Sequence, residues 1–247
     1  MEGKKKSKYK DLIDQVDPLL LEQWSQEQFR LKAELREENC FDWNLDTLEL
    51  IGGVDISADK HDQNKAVACL IVCRYPSFEI VHEQAEEVTL TQPYVPGYLA
   101  FREVEHLERL INDSPVKPQL ILVDGNGILH NKGFGLASHL GVIVRIPTVG
   151  VGKHVFAVDG ITAYNVKQLS RTLQAGGEHV NLVGKSGKIW GAALRSTDDC
   201  INPVIVSVGN MITLPTALEI VKQCCLYRVP EPIRLADKLS RKMVKNV

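Results

Sequence analysis

The chain has 247 residues, 44% of them apolar and 24% charged, a size and balance that suit one larger globular domain, or two small ones, around a sizeable core. No stretch approaches the roughly 18 uninterrupted apolar residues of a membrane span. The start "MEGKKKSKYK" has basic residues with no apolar core behind them, so neither a membrane partner nor a signal peptide is expected. A formal charge of −2 and a pI near 6.4 exclude global attraction to polyanions, so binding of nucleic acid would need local patches or bound cations.

In chain order, "DPLLLEQWSQEQFRLKAELR" (17–36) has apolar residues at helical spacing and reads as a packing helix over one face of a sheet. "LELIGGVDISAD" (48–59), "AVACLIVCRY" (66–75) and "EIVHEQAEEVTL" (79–90) have strand character, and their short connections suggest an antiparallel meander. The rhythm then changes to helix at 97–111, strand at 119–124, helix near 133–140 and strand at 141–146, which implies parallel crossovers. Strands at 188–195 and 203–208 and helices at 215–227 and 231–244 follow. Without repeats or composition breaks, the expectation is one α/β domain over 1–247, with a mixed sheet flanked by helices and 1–14 as a basic N-terminal tail. The six cysteines, Cys40, Cys69, Cys73, Cys200, Cys224 and Cys225, lack paired CxxC spacing. They predict reduced thiols and no structural zinc; with neither membrane span nor signal peptide, an intracellular protein is expected, in the cytoplasm and also the nucleus or nucleolus.

Four carboxylates stand out. Asp124 in "LILVDGNGILH" (120–130) ends an apolar strand, and Gly125 and Gly127 after it allow a sharp turn and close approach to a ligand; alone, it would read as a turn cap. Asp55 in "GGVDIS" faces away from Val54 and Ile56 on a strand where Asp is disfavoured. Helical spacing aligns Glu103 with Leu99, Leu107 and Leu110, away from Arg102, Glu105, Glu108 and Arg109. A buried salt bridge would explain Glu103 equally well. Asp237 lies between an apolar arc (Ile233, Ala236, Val244) and a basic face (Arg234, Lys238, Arg241, Lys245), and an exposed pair with Arg241 at i+4 is the plainer alternative. Inward carboxylates from several elements repel one another unless a cation lies between them. Oxygen ligands without a His or Cys cluster favour Mg²⁺, with Mn²⁺ as substitute. Two such ions about 3.5–4 Å apart suit phosphodiester hydrolysis.

Two short motifs hint at a P-loop and fail. "GVGK" has Pro147 where glycine is needed and His154 where Ser or Thr is needed, and "VGKS" (183–186) has His179 in the glycine position.

In combination and order, "GGVDIS" (52–57), "QPYVPGYLAFRE" (92–103), "LILVDGNGILH" (120–130) and "IPTVGVGKH" (146–154) resemble endonuclease V, in a form similar to the vertebrate proteins, from about residue 15 to the end. The resemblance implies a ribonuclease H-like fold in which Asp55, Glu103, Asp124 and Asp237 match divalent-metal ligand positions. Bacterial members often carry His where this chain has Asp237. Lys153 matches a lysine on the scissile phosphate. The loop Pro93, Tyr94, Val95, Pro96 and Gly97 matches a wedge that supports a flipped-out base, for which Tyr94 offers a stacking surface.

The implied substrate mark is hypoxanthine, read by a pocket of backbone groups near Gly97, Gly125, Asn126, Gly127 and Gly150, with Leu99 and His130 beside them. The implied activity is cleavage of single-stranded RNA at the second phosphodiester bond 3′ to inosine, leaving a 5′-phosphate and a 3′-hydroxyl. A DNA-repair nuclease acting at deoxyinosine and a non-cleaving reader of inosine-containing RNA are the alternatives. The basic runs "KKKSKYK" and "RKMVK" are candidate phosphate-tracking segments.

Overall fold

The computed structural model describes residue 13 and residues 15–245; the run "KKKSKYK" lies outside them. Helix α1 (Pro18–Lys32) starts where the Asp17 side chain accepts from Leu19 N at 2.9 Å and Pro18 takes a first-turn position with no N–H to satisfy. It ends one turn short of the predicted residue 36. Strands β1 (Leu50–Ala58), β2 (Lys65–Arg74) and β3 (Glu79–Thr89) form the expected antiparallel meander. Helix α2 (Ala100–Asp113) then crosses to β4 (Leu120–Val123), which lies parallel to β1.

The next two elements differ from expectation. Residues 141–146, read as a strand from "GVIVRI", belong mostly to helix α3 (Leu136–Val144), and the strand is β5 (Thr148–Gly152). Its first seven residues are buried, so the helix lacks the polar face that gives a helical period. Arg145, in the left-handed region at φ 54°, ends the helix, and the glycine-rich "TVGVG" makes the strand.

Helix α4 (Ala163–Ser170) and edge strand β6 (His179–Val183) were not anticipated; each buries a single residue, Val166 and Leu182, leaving little apolar pattern. β7 (Ile189–Leu194), β8 (Val204–Asn210), α5 (Leu214–Cys224) and α6 (Glu231–Val244) fall where predicted, within a few residues.

The eight strands form one sheet in the order β3-β2-β1-β4-β5-β8-β7-β6, parallel only along β1-β4-β5. One face is covered by α2 and α3, whose Leu107, Leu110, Leu136 and Leu140 pack on Val54, Leu70, Ile121 and Val123. The other is covered by α5 and α6, with Ile220, Val221, Ile233 and Ala236 against Ile51, Cys69, Ile71 and Val206. Seating α6 depends on Gly53. A Cβ there would lie 2.2 Å from the Pro232 backbone, so no larger residue lets the start of the helix rest on β1. All six cysteines are free thiols, and no helix among the described residues is long and apolar enough to cross a membrane.

Candidate active site

Three adjacent parallel strands bring the site together at their C-terminal ends. Register pairs Val54 of β1 with Val123 of β4 and Val123 with Gly150 of β5. Asp55 and Asp124 are therefore neighbours, with Lys153 just beyond the end of β5. Ligands bind at this edge of open α/β sheets.

Asp55 points from the same face as Gly53, toward α6, which supplies Asp237 and Ser240. One carboxylate oxygen each from Asp55, Asp124 and Asp237 lies within 4.8 Å of the other two. The three line a cleft of about 810 Å³ together with Glu103, Leu99, Lys153 and Arg241.

Each carboxylate is held differently. Asp55 Oδ2 accepts from Ser240 Oγ at 2.7 Å and Ser57 Oγ at 3.1 Å, which fixes one of its two oxygens. Burial is the main cause that raises the Asp55 carboxyl above its ordinary range; the Ser240 hydrogen bond opposes it, and the charges of Asp124 and Asp237 add to it. Asp124 Oδ2 lies 2.5 Å from Lys153 Nζ. Asp237 Oδ1 accepts from Arg241 Nε at 2.8 Å, so the i+4 pair forms and the same carboxylate still joins the cluster.

Glu103 faces the cleft from α2 and forms no ion pair among the described residues. Burial first, then the charge of Asp55, pushes its carboxyl up to about 8. The neighbouring Arg102, read as part of the helix's outer side, is buried, and its guanidinium donates to the carbonyl oxygens of Gln92 and Gln63. From that flank a long side chain reaches back over loops whose carbonyls need donors, a contact that helical spacing does not encode.

The loop over residues 92–99 borders a hollow of about 480 Å³ that shares Leu99 and Glu103 with the cleft and is lined by Pro93 and Tyr94. Tyr94 is 46% exposed, whereas Val95 is fully buried beside Trp24 and Tyr98. Pro96 is half-buried. The Tyr98 hydroxyl is 2.6 Å from both Ser25 Oγ and Lys132 Nζ, and Gln28 donates to Gly97 O and Phe134 O. These contacts tie the loop to α1 and to the 130–134 segment.

Gly127 and Gly150 meet their own backbone. A Cβ on Gly127 would lie 1.9 Å from Val208 O, and one on Gly150 2.4 Å from Gly127 N. Their lack of side chains is thus already required by packing. Gly125 lies against Leu136, and Gly97 against Asn131. The Asn126 side chain is directed at Gly152, with its oxygen buried and unpartnered. His130 is buried beside Phe156 and does not line the cleft. Its Nδ1 accepts from Lys132 N, and burial holds its pKa down at about 4.

Ser57 and Ser240 were not legible as site residues, because a serine on a strand or a helix carries no pattern of its own. The one available signal was spacing: Ser240 is three residues after Asp237 on α6 and bonds its carbonyl at 3.0 Å.

A carboxylate cluster with an adjacent lysine, at the parallel strand ends of a sheet in this order, defines a nuclease of the ribonuclease H-like fold. Residues 29–238 match the family model for Endonuclease V. The chain is 43% identical over 232 residues to both the mouse and the human Endonuclease V, covering 90% of this chain and 69% and 82% of theirs. It is similar to the crystal structure of the human catalytic domain, with a TM-score of 0.89 and 41% identity over 94% of this chain and 98% of that one. It is likewise similar to Endonuclease V of Ciona intestinalis, with a TM-score of 0.88 and 32% identity over 94% and 99%. The chain belongs to the Endonuclease V family, and it is an endonuclease.

Proposed function

We propose that this chain hydrolyses single-stranded RNA at the second phosphodiester bond 3′ to inosine in the presence of Mg²⁺, with Mn²⁺ as substitute, in the cytoplasm or nucleus. The observation that carries the reading is the carboxylate cluster beside Lys153, in a cleft continuous with the hollow under Tyr94.

The residues present fit a divalent cation. Three carboxylate oxygens lie within 4.8 Å, and Asp55 is raised partly by its own acidic neighbours, a repulsion that a cation relieves. Asp55, Asp124 and Asp237 would hold it, with Glu103 facing them across the cleft. When bound, such a cation stabilises charge that develops on the phosphate oxygens.

The chain's own groups do the rest. Ser57 and Ser240 keep Asp55 in one orientation. Lys153, which pairs with Asp124, would donate to a non-bridging oxygen of the scissile phosphate. Tyr94, exposed at the hollow beside the cleft, would offer its ring as a stacking surface in place of the lost base neighbour. Water attacks phosphorus, the bond from phosphorus to O3′ breaks, and a 3′-hydroxyl and a 5′-phosphate remain.

The Ciona protein was crystallised with a DNA strand containing an inosine followed by a ribo-adenosine. That supports inosine as the mark and draws attention to a 2′-hydroxyl on the nucleotide after it. Identity is 43% to the mammalian relatives and 31–35% to bacterial ones, in keeping with the resemblance to the vertebrate form, which is what implies single-stranded RNA as the substrate. The test is a panel of single strands carrying one inosine, as RNA and as DNA, with an adenosine control, in Mg²⁺ and in EDTA. Cutting at the second bond 3′ of inosine, faster in RNA and lost in EDTA, is expected. Faster cutting of the DNA strand would make this a repair enzyme, and inosine-dependent binding without cutting would make it a reader.

A further inference from the structure

Beyond Lys153 the cleft opens into a second groove of about 660 Å³, walled by α4, Arg195 and residues 201–205. Its lining includes Lys153, His154, Lys167, Arg171, Arg195 and Arg228 and no aspartate or glutamate. Of these, only Lys153 enters an ion pair among the described residues. Arg195 donates to the carbonyls of Leu173 and Asp198, Arg228 to those of Asn202 and Pro203, and Arg171 to the Gln168 amide oxygen. Glu178 and Asp198 direct their carboxylates to backbone N–H groups of 174–176.

A chain of net charge −2 therefore gathers lysine and arginine side chains, all but Lys153 outside the ion pairs of the described residues, along one groove next to its carboxylate site. Such an arrangement attracts a polyanion. The groove also has apolar footing: Val166 and Leu173 are buried beneath it, and Ile201 is 82% exposed at its edge.

We propose that this groove carries the sugar-phosphate backbone of the substrate strand on the 3′ side of the cut. Three hollows lie in a row. The one under Tyr94 joins the carboxylate cleft through Leu99 and Glu103, and the cleft joins the basic groove through Lys153. With the inosine at the Tyr94 end, the strand crosses the carboxylates and leaves over Lys167 and Arg171. The direction rests on the inosine reading above; the polyanion contact itself does not.

The test uses the full chain in EDTA, where no strand is cut, and fluorescence anisotropy of two labelled RNAs. One has its inosine near the 5′ end with about twelve nucleotides following it, and the other has the inverse arrangement. The double variant Lys167→Glu/Arg171→Glu changes two exposed residues, one on α4 and one at its C-cap, outside the carboxylate site. It is expected to weaken binding of the long 3′ arm by on the order of tenfold and to lower the log–log salt slope by about one to one and a half. Binding of the strand with the long 5′ arm should stay within twofold, which also shows that the variant is folded. Equal loss on both strands would overturn the direction, and no loss on either would overturn the groove. An adenosine twin separates the two readings. If it binds as tightly as the inosine strand, the inosine reading fails, while the effect of charge reversal on affinity and salt slope still decides the groove.

Discussion

Two groups of displaced titratable side chains lie within this fold, and they are displaced for different reasons. Around Asp55 the shifts are partly mutual: burial raises Asp55 and Glu103, and acidic neighbours raise them further, along an open cleft. His130 and His139 are instead held down at about 4, mainly by burial. His139 packs between Phe101 and Phe134 with its Nδ1 unpartnered. Displacement mainly by burial, away from an opening, marks packing. Displacement by like charges gathered at an opening marks a site that awaits a counter-charge.

Substitution should separate the two. Asp55→Asn keeps the shape and removes one negative charge, so cleavage should fall by on the order of a thousandfold or more. In EDTA the same variant should melt a few degrees higher, because repulsion has been relieved. A variant that loses activity and stability together would make Asp55 a packing residue. Lys153→Ala should lower kcat by about 100- to 1000-fold with little effect on melting, and unchanged kcat would remove the lysine from the chemistry.

The histidines should act on stability alone. Their folded pKa values are depressed from 6.5 to about 4, so the native state resists protonation. Stability is complete above pH 6.5 and is lost as pH falls toward 4, by on the order of 3 kcal/mol for each ring. His139→Phe should roughly halve that loss in melts taken across this window while leaving cleavage at pH 7 intact. An unaltered pH dependence would show that His139 is not held neutral by burial. The smallest effect is expected for Ser240→Ala, which removes one donor to Asp55: about 1.5 kcal/mol of stability and about tenfold in rate. Ser240→Thr should restore part of the rate, and no recovery would mean that Ser240 acts through packing.

The same contrast explains what the sequence revealed. Asp55 was legible because it interrupts an apolar strand, Asp124 because it follows directly on one, and Glu103 because it falls on a helix's apolar stripe. Alternation and helical period encode such placements. Ser240, Arg102 and the groove along α4 were not legible, since their roles arise when distant segments meet. The strand expected at 141–146 failed for a related reason: a helix buried nearly all round loses its period, and a β-branched run then resembles a strand. The last two helices kept clear periods and the meander strands were set off by polar turns, and all were placed within a few residues.

The account stands on the carboxylate cluster as a cation site, and the most direct measurement is thermal unfolding of wild-type protein and Asp55→Asn as Mn²⁺ is titrated from EDTA. Binding to the native state alone raises stability in step with the logarithm of cation concentration. Wild-type melting should therefore climb steadily, while Asp55→Asn, which starts higher, should stay flat. A flat wild-type curve, or the same rise in both proteins, would contradict it.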